Sequence, residues 1–319
     1  MVDLAGIFLG AVGPIVAIAG VGYALDSTKD VDPGALNTAV VYVLAPALVF
    51  HSLAVTDLDA DTLARLGVGV VAFTLAMWAV AELVGRATGE REPLLSALVL
   101  VAIFSNSGNL GIPVSDFAFG DVGRQTAVVF LSVQSVLMYT LGVYAASRSG
   151  GSAGREGLRR VFRLPLVYAV LAALLARALG VVPAADSAAM ESVQLVGDAA
   201  IPVMLLVLGI QLARTNTGAA VTRTGWAVAL RLVAAPAVGL GVAVLLGFQN
   251  PDVARVFVLE AAMPAAVTPV ILVTEFAADA RDGGLGVPQF VSTSVLVTTL
   301  LGVPALTLLI ALLQSGAVL

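Results

Sequence analysis

Residues 105–113, Ser-Asn-Ser-Gly-Asn-Leu-Gly-Ile-Pro, set two carboxamides, Asn106 and Asn109, and two hydroxyls, Ser105 and Ser107, among Gly108, Gly111 and Pro113. Amides and hydroxyls donate and accept hydrogen bonds without carrying charge, while glycine and proline weaken a helix. Residues 260–269, Glu-Ala-Ala-Met-Pro-Ala-Ala-Val-Thr-Pro, add the carboxylate Glu260, the prolines 264 and 269, Met263 and Thr268. A carboxylate in so apolar a setting must be paired, protonated or ion-bound. This chemistry suits ligand binding and ion coupling. The chain has no cysteine, which excludes disulfides, thiolate metal sites and cysteine nucleophiles, and it has no HExxH, P-loop or dinucleotide motif. A serine protease built from Ser107 and His51 leaves the repeat described below unexplained, so no enzymatic activity is expected.

The elements that must position these groups are apolar. The 319 residues are 59% hydrophobic and 12% charged, against roughly 25% charged in soluble domains, and mean hydropathy is +1.02. The fold class is therefore an all-α polytopic membrane protein. The apolar run from Leu4 to Leu25 has the length of a full span and no basic region before it, so no cleavable signal peptide is expected. Lys29 is the single lysine and the loops are acidic, which points to a high-salt or high-GC source, archaeal or halophilic.

Ten segments near 4–25, 35–55, 62–84, 93–119, 124–146, 163–182, 190–212, 226–247, 253–276 and 288–313 have spanning length. Residues 148–162, rich in Gly, Ser and Arg, read as a linker between a first five-helix repeat, 1–147, and a second, 163–319. Pro46 and Pro202, in spans two and seven, are separated by the same 156 residues (202 − 46) as Pro113 and Pro269 (269 − 113), in spans four and nine. An odd number of spans per half inverts the second copy, and interrupted spans at matching positions of inverted halves point to a transporter's binding site. With the N-terminus outside, Lys29, Arg86, Arg91, Arg148, Arg155, Arg159, Arg160, Arg163, Arg214, Arg223 and Arg281 fall inside. Only Arg65, Arg124, Arg177 and Arg255 fall outside. The bias expects both termini outside the cell membrane and a cytoplasmic linker.

Spans four and nine are thus expected to break and cross near the bilayer centre. The half-helices after Pro113 and Pro269 then aim positive N-terminal ends at the crossing, an anion site, while those ending near Ser105 and Met263 present carbonyls suited to a cation. Asn106 and Asn109 either line that site or cap freed backbone groups. Glu260 either couples to an ion or proton or hydrogen-bonds the first break, with Ser105, Ser132 and Gln134 as its neighbours. His51 is read as a structural histidine or a proton relay, and Asp198 as a partner of Tyr42. Arg231 either snorkels to the interface or attracts a substrate carboxylate.

The segments "LAPALVFHSLA", "SNSGNLGIPV" and "EAAMPAAVTPVILVTEF" resemble the auxin efflux carrier family, which includes the plant PIN-type carriers and prokaryotic relatives, and the resemblance covers essentially the whole chain. It implies a crossover-helix fold shared with bile-acid/sodium symporters, with spans 1, 2, 6 and 7 as a dimerising scaffold and spans 3–5 and 8–10 as a moving transport domain. Bile-acid symporters have a Glu near the position of Glu260 that contributes to sodium binding, followed by a Gln where this chain has Pro264. The long cytoplasmic loop of plant carriers is missing. The resemblance implies a secondary carrier of a small organic anion, a carboxylate such as malate or malonate, working by elevator-type alternating access. Uniport and cation coupling both stand, with Na+ or H+ at Glu260; an anion channel or a membrane-embedded anion sensor is the alternative. The substrate residues implied are Asn106, Ser107, Asn109, Gly111, Pro113, Met263, Pro264, Thr268 and Pro269. The partners expected are the lipid bilayer, the anion and a second copy of the chain; no nucleic acid and no resident cofactor are expected.

Overall fold

The computed structural model describes residues 13–29, 31–56, 58–148, 165–214, 221–282 and 284–319. The first residues of span one, and the linker beyond Arg148 with Arg155, Arg159, Arg160 and Arg163, lie outside the described residues. The described chain is almost wholly helical: α1 (Gly13–Lys29), α2 (Pro33–Ala54), α3 (Ala60–Ala87) and α4 (Leu94–Ile103) come first. The helical stretch Ser107–Arg148 follows, and it is two helices, α5 (107–119) and α6 (121–148), because Gly120 between them takes φ 61° and ψ −144°. Then come α7 (Pro165–Leu179), α8 (Ala188–Asp198), α9 (Ala200–Arg214), α10 (Gly225–Leu246), α11 (Pro251–Ala262) and α12 (Thr268–Phe276). A two-residue hairpin, Arg281–Asp282 with Leu285–Gly286, precedes α13 (Val287–Gln314). Among the described residues, six helical stretches are long and apolar enough to cross a membrane. This is a multi-pass membrane protein.

Proline shapes several of these helices. Wide π turns at Val40–Leu44, Ser107–Gly111 and Leu230–Ala234 each end two residues before a proline, at 46, 113 and 236. Proline lacks an N–H and crowds the carbonyl four residues back, and one wide turn absorbs both problems without ending the helix. The first interruption is therefore shorter than the sequence suggests. Helix resumes at Ser107, not at Pro113, and only residues 104–106 leave it. The second interruption covers 263–267, and α12 opens at Thr268 with Pro269 in its first turn.

The ion pairs define two ends of the molecule. At one end Arg148 pairs with Glu82 and Glu92, Arg223 with Glu90 and Asp282, and Arg214 with Asp26. At the other, Arg65 pairs with Asp61, Arg255 with Asp252, and Arg124 with Asp116 and Asp198. Asp198 thus pairs with Arg124, whereas Tyr42, its expected partner, is 60% exposed. Helices α1 and α9 approach closely: a Cβ built on Gly209 would lie 1.9 Å from the Ala19 carbonyl oxygen, and one on Gly22 2.3 Å from that of Leu206. Small residues that let backbones touch are how helices associate without a hydrophobic drive between them.

Candidate functional site

The two interruptions meet. Asn106 N–H donates to the Pro264 carbonyl at 2.8 Å and Ala266 N–H to the Phe104 carbonyl at 2.9 Å, a one-residue antiparallel bridge between Ser105 and Ala265. Extended backbone inside a membrane protein needs such internal partners. Side chains supply the rest. Gln134 on α6 accepts from Ser105 N–H (3.1 Å) and Oγ (2.7 Å) and donates through Nε2 to the Ser105 carbonyl (2.8 Å) and Ser107 Oγ (3.2 Å). On the other strand, Thr298 Oγ1 on α13 accepts from Ala265 N–H at 3.2 Å.

Two fully buried charges flank the crossing. Arg231, on the π turn of α10, donates to the carbonyls of Ala102 (2.7 Å), Ala261 (2.8 Å) and Met263 (3.2 Å from Nε, with a second contact from Nη2). Burial at 0% exposure excludes snorkelling. Glu260 is also 0% exposed; its Oε1 accepts from Ser115 Oγ at 2.7 Å, while Oε2 has no hydrogen-bond partner among the described residues. A Cβ on Gly111 would fall 2.3 Å from Oε2, so any larger residue there must displace the carboxylate. The carboxylate is packed against the first turn of α5.

Beside the bridge lies a cavity of about 200 Å³. Ser105, Asn106, Asn109, Gln134 and Thr268 line it from one side, with Ala266 and Val267 of the second break. Helices α2, α7 and α9 form the facing wall with Asn37, Pro165 and Gln211. No charged side chain lines it among the described residues. The N-terminal ends of α5 and α12 reach it, at Gly108 and Asn109 and at Thr268, and present the positive ends of their helix dipoles. Asn106 is 5% exposed, and its Nδ2 has no hydrogen-bond partner among the described residues. Asn37, Pro165 and Gln211 stand near helix ends on the Arg148–Arg214 side, so the cavity extends toward that end.

The other expected site residues lie behind this surface. Ser107, Gly111, Pro113, Met263 and Pro269 shape or support the two breaks, and Pro264 contributes its carbonyl to the bridge. Ser132 bonds only the Val128 carbonyl of its own helix, at 2.7 Å. Glu260 does not reach the cavity. Asn37, Ser135, Tyr139 and Gln211 line it without having been singled out in the sequence; most are amides and hydroxyls inside apolar runs, a signal that was there to use. No group of three or more His, Asp or Glu residues suited to a metal occurs among the described residues.

Comparison with known proteins bears on this arrangement. The family described as membrane transport protein matches residues 7–157 and 152–310. The chain belongs to the auxin efflux carrier family. An uncharacterized transporter of Methanothermobacter thermautotrophicus is 28% identical over 279 residues, covering 87% of this chain and 88% of that protein. One from Methanocaldococcus jannaschii is 24% identical, covering 83% and 84%. A proposed malonate transporter of Rhizobium meliloti is 24% identical over 293 residues, covering 89% and 88%. Members of this family move solutes across membranes, and this one is a membrane transporter.

Proposed function

We propose that the protein is a secondary carrier of a small organic anion, a carboxylate of about malonate size, bound at the cavity beside the crossing. The observation that carries this reading is the meeting of two half-helix N-termini and the unpartnered Nδ2 of Asn106 at one small, uncharged cavity. Backbone N–H groups at helix N-termini hold anions without a cationic side chain. The relationship to a proposed malonate transporter supports a dicarboxylate.

The mechanism proposed is alternating access by ten spans in two inverted five-helix halves. Helices α1, α2, α7, α8 and α9 form a scaffold, with dimerisation through it, and the remainder slides against it carrying the bridge. The cavity's place between these groups supports the division. One end is closed by contacts across the same divide: Arg124 on α6 to Asp198 on α8 at 3.0 Å, and Thr56, after α2, to Gln125 on α6 at 2.6 Å. By the excess of basic residues, the opposite, open end faces the cytoplasm.

Counterflow of labelled malonate and other small carboxylates in proteoliposomes tests the reading. Saturable exchange is expected in wild type. Asn106→Ala removes a buried donor worth roughly 1–3 kcal/mol and Asn109→Ala a half-buried one, and each should weaken exchange, Asn106→Ala by about five- to a hundredfold. Wild-type exchange in both variants refutes the site. Large unitary currents would indicate an anion channel, and binding without flux a sensor.

A further inference from the structure

We infer that Arg231 is the resident cation of the crossing: it occupies the position between the two half-helix C-termini where an exchangeable metal ion would sit, so transport proceeds without one. The inference builds on the carrier reading above and specifies its ion requirement. In transporters with broken helices, the carbonyls freed at half-helix C-terminal ends are where Na+ binds. Here α4 ends at Ile103 and α11 at Ala262, and the carbonyls at their ends, Ala102, Ala261 and Met263, all accept from one guanidinium. Arginine has five donors and cannot leave. Four contacts to three carbonyls use most of them.

Local backbone geometry fits this role. Arg231 lies on the π turn Leu230–Ala234, and such single wide turns gather at functional sites. The charge of Glu260 is complemented separately, because it packs on the first turn of α5, at the positive end of that helix, and accepts from Ser115. Negative helix ends face Arg231 and a positive helix end faces Glu260. The carbonyl ends held by Arg231 need no metal to balance them, and the charge of the transported anion crosses uncompensated by sodium at that position.

The test compares sodium, potassium and N-methyl-D-glucamine chlorides at equal ionic strength. Wild type is expected to melt at the same temperature in all three and to exchange malonate equally in all three. Arg231→Ala is expected to melt lower, to lose exchange by roughly tenfold or more because buried carbonyl ends are left unpaired, and to regain both on addition of methylguanidinium. Sodium-specific stabilisation of wild type, or uptake that requires sodium, overturns the inference. So does an Arg231→Ala protein that melts and exchanges like wild type. If Arg231→Ala does not fold, the wild-type salt series still decides. If wild type carries no anion at all, the carrier reading fails, and the melting series continues to read Arg231 by itself.

Discussion

Replacing Gln134 by Leu tests whether the first break is held by a side chain. The substitution keeps bulk and removes the amide that pairs with both backbone groups of Ser105. Ser105 is 1% exposed, so its N–H and C=O lose their partners inside the protein. The two hydroxyls still have each other, since Ser105 Oγ and Ser107 Oγ are 2.9 Å apart. Two orphaned backbone groups at roughly 1–3 kcal/mol each give about 2–6 kcal/mol. Gln134 lines the cavity, and water entering there can replace part of the lost bonding, which favours the low end, near 2 kcal/mol. Against a total stability of 5–15 kcal/mol for an ordinary domain, that lowers the melting temperature visibly without preventing folding. Ser132→Ala, two residues earlier on the same helix, is the control: its hydroxyl bonds only its own helix, and such back-bonding contributes little. Thermal unfolding of the purified proteins, with counterflow alongside, reads both. Gln134→Leu indistinguishable from Ser132→Ala in both assays would refute the reasoning.

Gly111→Ala is expected to destabilise by roughly 1–3 kcal/mol, the usual cost of overpacking, because the new methyl group would displace the Glu260 carboxylate; a wild-type melting curve would show that the carboxylate is free to move. Asp198→Asn should loosen the end that the proposed mechanism takes as closed. The pair is partly exposed, at 22% and 45% of the two side chains, so at about 1 kcal/mol the population shifts by no more than roughly fivefold. The chain has no cysteine, so a single Ser135→Cys on the cavity wall reports this cleanly: external labelling by an impermeant maleimide should rise in the Asp198→Asn background. Unchanged labelling counts against the closed-end contact. Glu260→Gln should flatten any dependence of uptake on pH if Glu260 carries a coupling proton, and a pH profile that survives the substitution removes Glu260 from coupling.

The breaks were legible because proline and glycine announce themselves in any apolar run, and Asn106, Asn109, Gln134 and Thr268 stood out as polar residues near them. How far the breaks extend was not. A π turn absorbs a proline without any sequence mark of its own, so Ser107–Gly111 looked unwound and is helical. The role of Arg231 was hidden for a related reason. Its partners are main-chain carbonyls of Ala102, Ala261 and Met263, and a carbonyl that is free has the same side chain as one that is bonded. Asp198 was paired with Tyr42 by repeat logic, but the helix rotation that exposes Tyr42 and turns Asp198 to Arg124 depends on packing between distant helices.

Under the proposed carrier reading, the placement of charge accounts for how one cavity could bind an anion and still release it. A lysine or arginine in the cavity would hold a carboxylate through charge-assisted bonds and slow its departure. Instead the guanidinium of Arg231 is spent on the C-terminal ends of α4 and α11 and does not line the cavity. What faces the cavity is two helix N-termini, each equivalent to roughly half a charge, together with neutral amides and hydroxyls. Such donors recognise a carboxylate by geometry and supply modest attraction. In the proposed sliding mechanism, Asn106 and Thr268 would move as one unit with that geometry intact, because the bridge between residues 104–106 and 264–266 ties the two half-helices together.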